Sequence, residues 1–467
     1  MMVGAGPDGS PWVAVVAVAA IAFMLALAGP AVVPMAPWWV QILPLLVAAA
    51  AAALPVSLAL RAGERWAWVL ALAVLLFVTD TSFRSRDWAD KSWDWQVLLK
   101  AAVWLGCGAA GLLRLRTAWR LLAAPPGWLA LAYLAVLAVS VLWSPVPAYS
   151  AQAAFAYFGL FLFALAAAQV LGEGGLLLAM ALGLGAVVLP SLAVAPFAEG
   201  LAAVGRNSTG EPDRLRGLTD HPIAMAEVAA LFTFACLALR VRARGFGTRL
   251  LLALLAMAGL AAAVLTRSRI PVVALLAAAG GVWACRKGGP LLMVPVLIAC
   301  AGLVLLGESV SGFADLLPRD LLEMVSRSGS ADEVLSLSGR LLIWPYALDR
   351  IRDAPLIGHG LASGIEVFRG FTPWKIVHAH DAYLQALLYV GLLGALPLAG
   401  TLLAQLRAFF RRPQTVRDTI LLYTLFCGVT EQAMVANLPS GAVILWLIAV
   451  GLAAQDWRRA GSTDFSA

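Results

Sequence analysis

Long apolar stretches recur along almost the whole chain, and they constrain its fold more than any other feature. The chain has 467 residues, of which 62% are hydrophobic and 13% are charged, and its mean hydropathy is +0.88. This composition lies outside the range of soluble domains. A helix needs about 20 apolar residues to cross a hydrocarbon core of roughly 30 Å. The sequence therefore predicts an all-α, polytopic integral membrane protein.

The pattern predicts 14 membrane spans, of which 66–80 and 270–285 are short enough to be tilted or re-entrant. The other predicted spans are 12–30, 37–60, 95–113, 126–144, 151–172, 175–197, 222–240, 249–266, 290–307, 382–406, 418–436 and 440–456.

The distribution of basic residues predicts the orientation of the spans. With the N-terminus inside, 17 basic residues lie in the cytoplasm, as the positive-inside trend requires. They are Arg61, Arg65, Arg114, Arg116, Arg120, Arg240, Arg242, Arg244, Arg249, Arg286, Lys287, Arg407, Arg411, Arg412, Arg417, Arg458 and Arg459. Both termini are then cytoplasmic, and the outer loops are 80–95, 197–222, 266–270 and 307–382. This excess also accounts for the net charge of +7 without a nucleic-acid partner.

Three regions follow from this topology. Residues 1–306 form a transmembrane region, 307–381 one large outer loop, and 382–467 further transmembrane helices with a cytoplasmic tail. Within the loop, 338–352 has Ser338 as a candidate N-cap and an apolar stripe at helical spacing. The stripe consists of Leu341, Trp344, Leu348 and Ile351. It predicts a helix that lies on the membrane surface, limited or kinked by Pro345.

Four arginines lie in short outer loops, against the positive-inside trend. Arg214 and Arg216 precede Gly217, and Arg267 and Arg269 stand between two spans. Such side chains either reach towards headgroup phosphates, pair with a protein carboxylate, or bind a substrate phosphate. The guanidinium fork suits the last role, because it can bind phosphate oxygens in a bidentate way.

Two histidines close the large outer loop in the sequence His378-Ala379-His380-Asp381. This pair is compatible with a metal site, a structural hydrogen-bonded pair, or a general base that works near neutral pH. Asp381 is also a candidate cap for the following helix, and His359 is expected in a turn. The five cysteines form no Cys/His cluster, so they predict neither a zinc site nor a disulfide framework.

Taken together, these residues resemble motifs of the O-antigen ligase and polymerase superfamily of bacterial envelopes. The matching motifs are Arg214-x-x-Gly217 ahead of Pro222, Ser268-Arg269, Gly339-Arg340 with Trp344, Pro355-Leu356-Ile357-Gly358-His359-Gly360, His378-x-His380-Asp381-x-Tyr383-Leu384, and Gly391-Leu392-Leu393-Gly394. The family usually has Asn in place of Asp381, and the first 200 residues match only in being hydrophobic.

The resemblance implies a GT-C-like fold with 12–14 transmembrane helices and one large, partly helical periplasmic loop, in a bacterial inner membrane. It implies a glycosyltransferase that moves a glycan from undecaprenyl diphosphate to a sugar hydroxyl of lipid A-core, among membrane lipids and without a cofactor. Arg214 and Arg269 are expected on the diphosphate, with Arg216, Arg267 and Arg340 as further binding residues. His380 is the expected base and His378 the reserve candidate.

Two other classes of function stay open at this point. A polymerase, or a protein O-oligosaccharyltransferase, would use the same donor with a different acceptor. The single large loop that ends in His-x-His favours the ligase. A polytopic transporter or lipid flippase is the alternative outside enzymes. It is disfavoured because the unusual charges gather at one predicted face and no internal repeat is visible.

Overall fold

A computed structural model of the chain describes residues 65–82, 95–195, 214–289, 340–372 and 376–463. The predicted spans 12–30, 37–60 and 290–307 lie outside these residues, as does the part of the large loop before residue 340. The described helices are α1 Arg65–Asp80, α2 Trp95–Leu113, α3 Leu115–Leu122, α4 Pro125–Val139, α5 Pro147–Val194, α6 Pro222–Arg242, α7 Phe246–Leu265, α8 Ile270–Gly288, α9 Arg340–Asp353, α10 Gly364–Val367, α11 Ala382–Arg411, α12 Thr415–Gly428 and α13 Gly441–Thr463.

The prediction of an all-α, polytopic membrane protein is confirmed. Among the described residues, eight helices are long and apolar enough to cross a membrane. A short 3-10 turn, Ser140–Trp143, extends α4. Helix α13 is mostly buried and packs against several neighbours, whereas α7 leaves most of its side chains exposed towards the region that lipid would occupy. The total of 12–14 spans and the three-region division stay predictions.

The helix ends form two chemically different faces. One face is rich in arginine, and contacts join its helix ends: Arg286 bonds the Thr415 hydroxyl, and Arg242 pairs with Glu173. On the same face Arg417 is buried in an ion pair with Asp418, at 2.6 Å between Nε and Oδ1. The opposite face carries residues 214–221, 266–269, 378–381 and 429–440. We call these the arginine-rich face and the site face.

Helix α5 crosses between the two faces twice. Its 48 residues would measure about 72 Å as one straight helix, more than twice the thickness of a hydrocarbon core. Gly172 interrupts the helix with a left-handed φ of 57°. Glu173 lies at the arginine-rich face, whereas Ser191 accepts the backbone N–H of Leu218 at the site face, at 3.0 Å. The predicted pair of spans, 151–172 and 175–197, agrees with this turn.

The predicted span 418–436 is wrong, because α12 already ends at Gly428. Residues 429–440 form a largely buried, non-helical segment that leads into α13. Its backbone finds partners on other helices. Tyr157 Oη lies 2.9 Å from the Ala436 N–H, which donates to it, and Asp80 accepts from Gly441 N at 2.7 Å. Irregular backbone is tolerated at membrane depth when protein groups bond it in this way. A hydropathy pattern does not reveal such an interruption.

Helix α11 is interrupted at Gly391, where φ is 53°. Two amide groups just beyond this break bond outside the helix. Leu392 N donates to Pro355 O at 2.9 Å, and Leu393 N donates to Leu356 O at 2.9 Å. Residues 355–360, which we call the outer segment, thus replace a turn of the broken helix.

The carbonyl groups freed by the same break are also bonded. Leu388 O accepts from His359 N at 2.8 Å, and Tyr389 O accepts from Gly360 N at 2.9 Å. His359 lies in a turn, as predicted, between two glycines with positive φ. At Gly358 a Cβ would lie 2.5 Å from the Tyr389 carbonyl carbon. The segment 355–360 can approach α11 this closely only with glycine there.

We expect Gly391→Ala to destabilise the protein by about 1–3 kcal/mol or more, because alanine disfavours positive φ. In addition, its Cβ would lie 2.6 Å from Ile357 N. The measurement is the thermal unfolding midpoint of the purified protein in detergent. Gly247→Ala is the matched control, since a Cβ at Gly247 meets nothing within 4 Å. Equal unfolding midpoints for the two variants would contradict the prediction.

Candidate functional site

The two predicted histidines lie in a tight turn that leads into α11. His380 has a left-handed φ of 50°, and the next residue caps the helix. Asp381 Oδ1 accepts from Tyr383 N at 2.8 Å and from Leu384 N at 2.7 Å. Of the roles considered for Asp381, helix capping is the one that the geometry supports. The cap fixes the direction in which the histidine turn leaves the helix.

The two imidazole rings are in contact. Their centroids are 3.9 Å apart, and His380 N donates to His378 Nδ1 at 3.3 Å. This bond puts the proton of a neutral His378 on Nε2. Desolvation lowers the pKa of His378 well below its usual value, and the neighbouring His380 adds to the shift. His378 is therefore neutral at pH 7.

A carboxylate that the sequence analysis missed lies against His380. The distance between His380 Nδ1 and Glu431 Oε2 is 3.6 Å. The other carboxylate oxygen, Oε1, is paired with Arg340, whose Nε donates to Thr430 O at 3.2 Å. Arg340 and Glu431 are both buried, with 2% and 6% of their surfaces exposed. The result is a chain of contacts from Arg340 through Glu431 to His380.

The ionisation of Glu431 is set by competing effects. Desolvation on burial raises its pKa, but the interactions with His380 and Arg340 outweigh this, and the pKa falls to about 2. The carboxylate is therefore charged at neutral pH. Its sequence context hid it, because Glu431 lies within a run that hydropathy assigns to a span. The available signal was the polar triplet Thr430-Glu431-Gln432 inside that run.

Arg214 is held by the turn between α7 and α8. Its Nε donates to Thr266 O at 2.8 Å, and its Nη2 donates to Ser268 Oγ at 2.7 Å. Only 4% of the residue is exposed. Backbone pairing of Leu215 N with Leu265 O, at 3.0 Å, joins the same two segments. The two arginine motifs of the sequence thus form one unit.

The other three arginines of this unit differ in exposure. Arg216 is half-buried, and its carbonyl accepts from Thr219 Oγ1 at 2.7 Å. Arg269 is half-buried and immediately precedes α8. Arg267 is exposed, with φ at 53°, and its N–H bonds Val264 O at the end of α7. Arg267 therefore lies at the rim rather than in the interior.

His221 connects the arginine unit with the histidine turn. It caps α6, and its Nδ1 accepts from Ile223 N at 3.2 Å. It interacts electrostatically with Arg214 and also with Glu431 and His380. This histidine carries no role predicted from the sequence. These interactions link the two groups of predicted residues into one candidate site.

This arrangement combines a fixed positive field with a histidine–carboxylate pair. Guanidinium groups there can bind an anion, and the imidazole of His380 can accept a proton. Among the described residues, no three His, Cys, Asp or Glu side chains are placed to bind a metal ion.

The pKa of Glu431 leads to a prediction for stability. A carboxylate with a lowered pKa stabilises the folded state fully above its ordinary value of 4.5, and less as the pH falls towards about 2. We expect Glu431→Gln to lower stability at pH 7 by about 3–5 kcal/mol, because it leaves Arg340 buried without its carboxylate.

The measurement compares the thermal unfolding midpoints of the wild-type protein and of Glu431→Gln as a function of pH. The difference should stay constant from pH 7 to about 5 and shrink below that. A difference that does not depend on pH down to 3 would contradict the charged pair.

Comparison with known proteins adds an independent finding. Residues 250–399 match a family model described as O-antigen ligase, and a search of curated proteins found no match. The matched range contains Arg267, Arg269, Arg340, His378 and His380. About a third of the chain, residues 250–399, is therefore similar to the O-antigen ligase family.

Proposed function

We propose that the chain is an O-antigen ligase. It transfers a glycan from undecaprenyl diphosphate to a sugar hydroxyl of lipid A-core at the periplasmic face of a bacterial inner membrane. The family indicates ligase- or polymerase-type chemistry on lipid-linked glycans. The observation that carries the finer proposal is the pairing of His380 with buried Glu431, close to the arginine unit. This pair can take a proton from a hydroxyl, and the arginines can hold the leaving diphosphate.

Charge supports a periplasmic site. The arginine-rich face includes Arg240, Arg286 and Arg411, and the positive-inside trend assigns such a face to the cytoplasm. The site face is opposite, which is the periplasmic side in the proposed topology with both termini cytoplasmic.

Depth supports a lipid-linked donor. Helix α6 has 21 residues from Pro222 to Arg242, which corresponds to about 31 Å. This is close to the thickness of a hydrocarbon core. His221, just before the helix, is therefore expected at headgroup level, where the diphosphate of a membrane-anchored carrier would lie.

In the proposed reaction the arginine unit binds the donor diphosphate. Arg214 and Arg269 are the main contacts and Arg216 assists, while exposed Arg267 lies where the donor would enter. When the glycosidic bond to phosphate breaks, its electron pair goes to the diphosphate oxygen. Positioned guanidinium groups stabilise that charge, and most strongly in a site with little water. Thr266 and Ser268 hold Arg214 in place, so it needs little reorganisation.

His380 is the proposed base. Glu431 faces its Nδ1, which leaves Nε2 to take the proton of the acceptor hydroxyl. The acceptor oxygen then bonds to the anomeric carbon while the bond to the diphosphate breaks, and the configuration inverts. Glu431 stabilises the imidazolium that forms. In this mechanism Arg340 positions Glu431 rather than binding phosphate, and His378 remains the reserve base.

We expect His380→Ala to reduce transfer by about 10²–10⁴-fold, the usual contribution of a general base. The assay combines purified protein, undecaprenyl-diphosphate-linked glycan and lipid A-core, with the product separated on a gel. His359→Gln is the control, because His359 Nε2 bonds Arg350 O at 2.7 Å in a turn outside the proposed machinery. Full activity of His380→Ala would transfer the base role to another group.

The glycans of a strain that lacks the gene test the function itself. Polymer stranded on the carrier lipid, with bare core on lipid A, is the expected result and identifies a ligase. Core capped with single repeat units would instead identify a polymerase. An unchanged profile would overturn the glycan-transfer proposal and favour transport.

Complementation of that strain tests the arginine unit. Wild type should restore ligation, whereas Arg269→Lys should restore it about 10-fold less or worse, because lysine keeps the charge but loses the guanidinium fork. The exposed Arg286→Lys, at the opposite face, is the matched control and should complement fully. Equal complementation by both variants would contradict diphosphate binding at Arg269.

A further inference from the structure

An apolar surface lies where the outer segment meets the break in α11. The turn exposes Leu356 by 66% and Ile357 by 46%, and α11 exposes Leu393 by 57% and Leu396 by 68%. The backbone bond of Leu393 N to Leu356 O, at 2.9 Å, places the two sets side by side. We call the four residues the leucine patch.

The patch continues onto α4. Leu361 N bonds Ser140 Oγ at 3.0 Å, which fixes the outer segment against the end of that helix. Close by, Val139 is 53% exposed and Leu142 is 85% exposed. Together they extend the patch into a band of exposed apolar side chains on three separate elements. A surface of this kind marks an interaction site.

The depth of the patch follows from the helix that carries half of it. The 20 residues from Leu392 to Arg411 form the unbroken part of α11, which corresponds to about 30 Å. This length matches the thickness of the hydrocarbon core. If Arg411 lies at one boundary of the core, Leu392 lies at the opposite boundary. Leu393 and Leu396 are then inside the lipid. Leu356 and Ile357 lie at the same height.

Charged residues bound the patch on its other side. Arg352 and Asp353 precede the turn and are exposed. Farther back on α9, Asp349 has 60% of its side chain exposed. The polarity of the outer segment therefore changes within three residues, from charged to apolar. This change is expected where a chain enters the boundary between headgroups and acyl chains.

We propose that the turn 355–357 inserts into the membrane leaflet on the site face, with Leu356 and Ile357 in contact with acyl chains. The occupant of the patch is the lipid bilayer itself, because the patch is continuous with the lipid-facing side of a spanning helix. The insertion anchors the outer segment at headgroup height.

Spin labels test the proposal in reconstituted vesicles without reference to enzymatic activity. Labels are placed on Leu356→Cys, on Leu393→Cys as the lipid reference and on Asp349→Cys as the water reference. Collision with oxygen, which concentrates in lipid, is compared with collision with a water-soluble nickel chelate. The four described cysteines, Cys107, Cys236, Cys285 and Cys427, are buried, and the unmodified protein gives the background of native labelling.

The label at Leu356 is expected to resemble the one at Leu393, with oxygen the more effective relaxant. A label there that meets the nickel chelate as readily as the one at Asp349 would overturn the insertion. If Leu356→Cys does not fold, Ile357→Cys decides between the same two outcomes. Occupation of the patch by a second copy of the chain would shield the label from both relaxants, and that result would also reject lipid contact.

Discussion

Backbone groups that leave a helix inside a bilayer must find other partners, and this requirement shapes the site face. Lipid offers no hydrogen bonds, and each unsatisfied group costs several kcal/mol. The break at Gly391 is possible because residues 355–360 supply donors and acceptors to α11. The segment 429–440 is possible because Tyr157 bonds its backbone at Ala436, and Asp80 accepts from Gly441 N where α13 begins. Each interruption therefore ties an irregular segment to a rigid helix, and site residues lie on or beside these segments.

Charge imposes the second requirement. Arg340 and Glu431 are buried together, and either one alone would be an uncompensated charge. A buried pair is weak evidence for net stability, because both partners lose their hydration. The effect of the Arg340–Glu431 pair on the geometry of the site is more definite than its effect on stability. It joins the start of α9 to the segment after α12, which are 91 residues apart in sequence, and presents the second carboxylate oxygen to His380.

The sequence predicted the helices well and pointed to part of the candidate site. Apolar runs such as 222–240 and 249–266 became helices with nearly the same bounds, because a single helix satisfies its own backbone. The prediction of a span at 418–436 was wrong because the backbone after Gly428 does not satisfy its own hydrogen bonds as a helix would. Its continuation after Gly428 depends on partners distant in sequence, which local hydropathy does not contain. Glycine positions such as Gly358 and Gly391 were visible in the motifs, but the close contact between the two segments that carry them was not.

Site residues show the same division. Arg214 and Arg269 stood out because cations in outer loops oppose the charge trend, and His380 because it ended the large loop. Glu431 and His221 did not stand out, since their significance comes from neighbours in space. Arg340 was predicted at the site as a phosphate-binding residue. Because it pairs with Glu431, its proposed role is instead to position that carboxylate.

The proposed mechanism must reconcile a base with a cationic pocket. Guanidinium groups that stabilise a leaving diphosphate also disfavour an imidazolium, because like charges repel. Both effects act on His378: desolvation lowers its pKa most, Arg340 adds to the lowering, and Glu431 opposes it. His380 faces Glu431, whereas desolvation keeps His378 neutral, so the carboxylate favours His380 as the base.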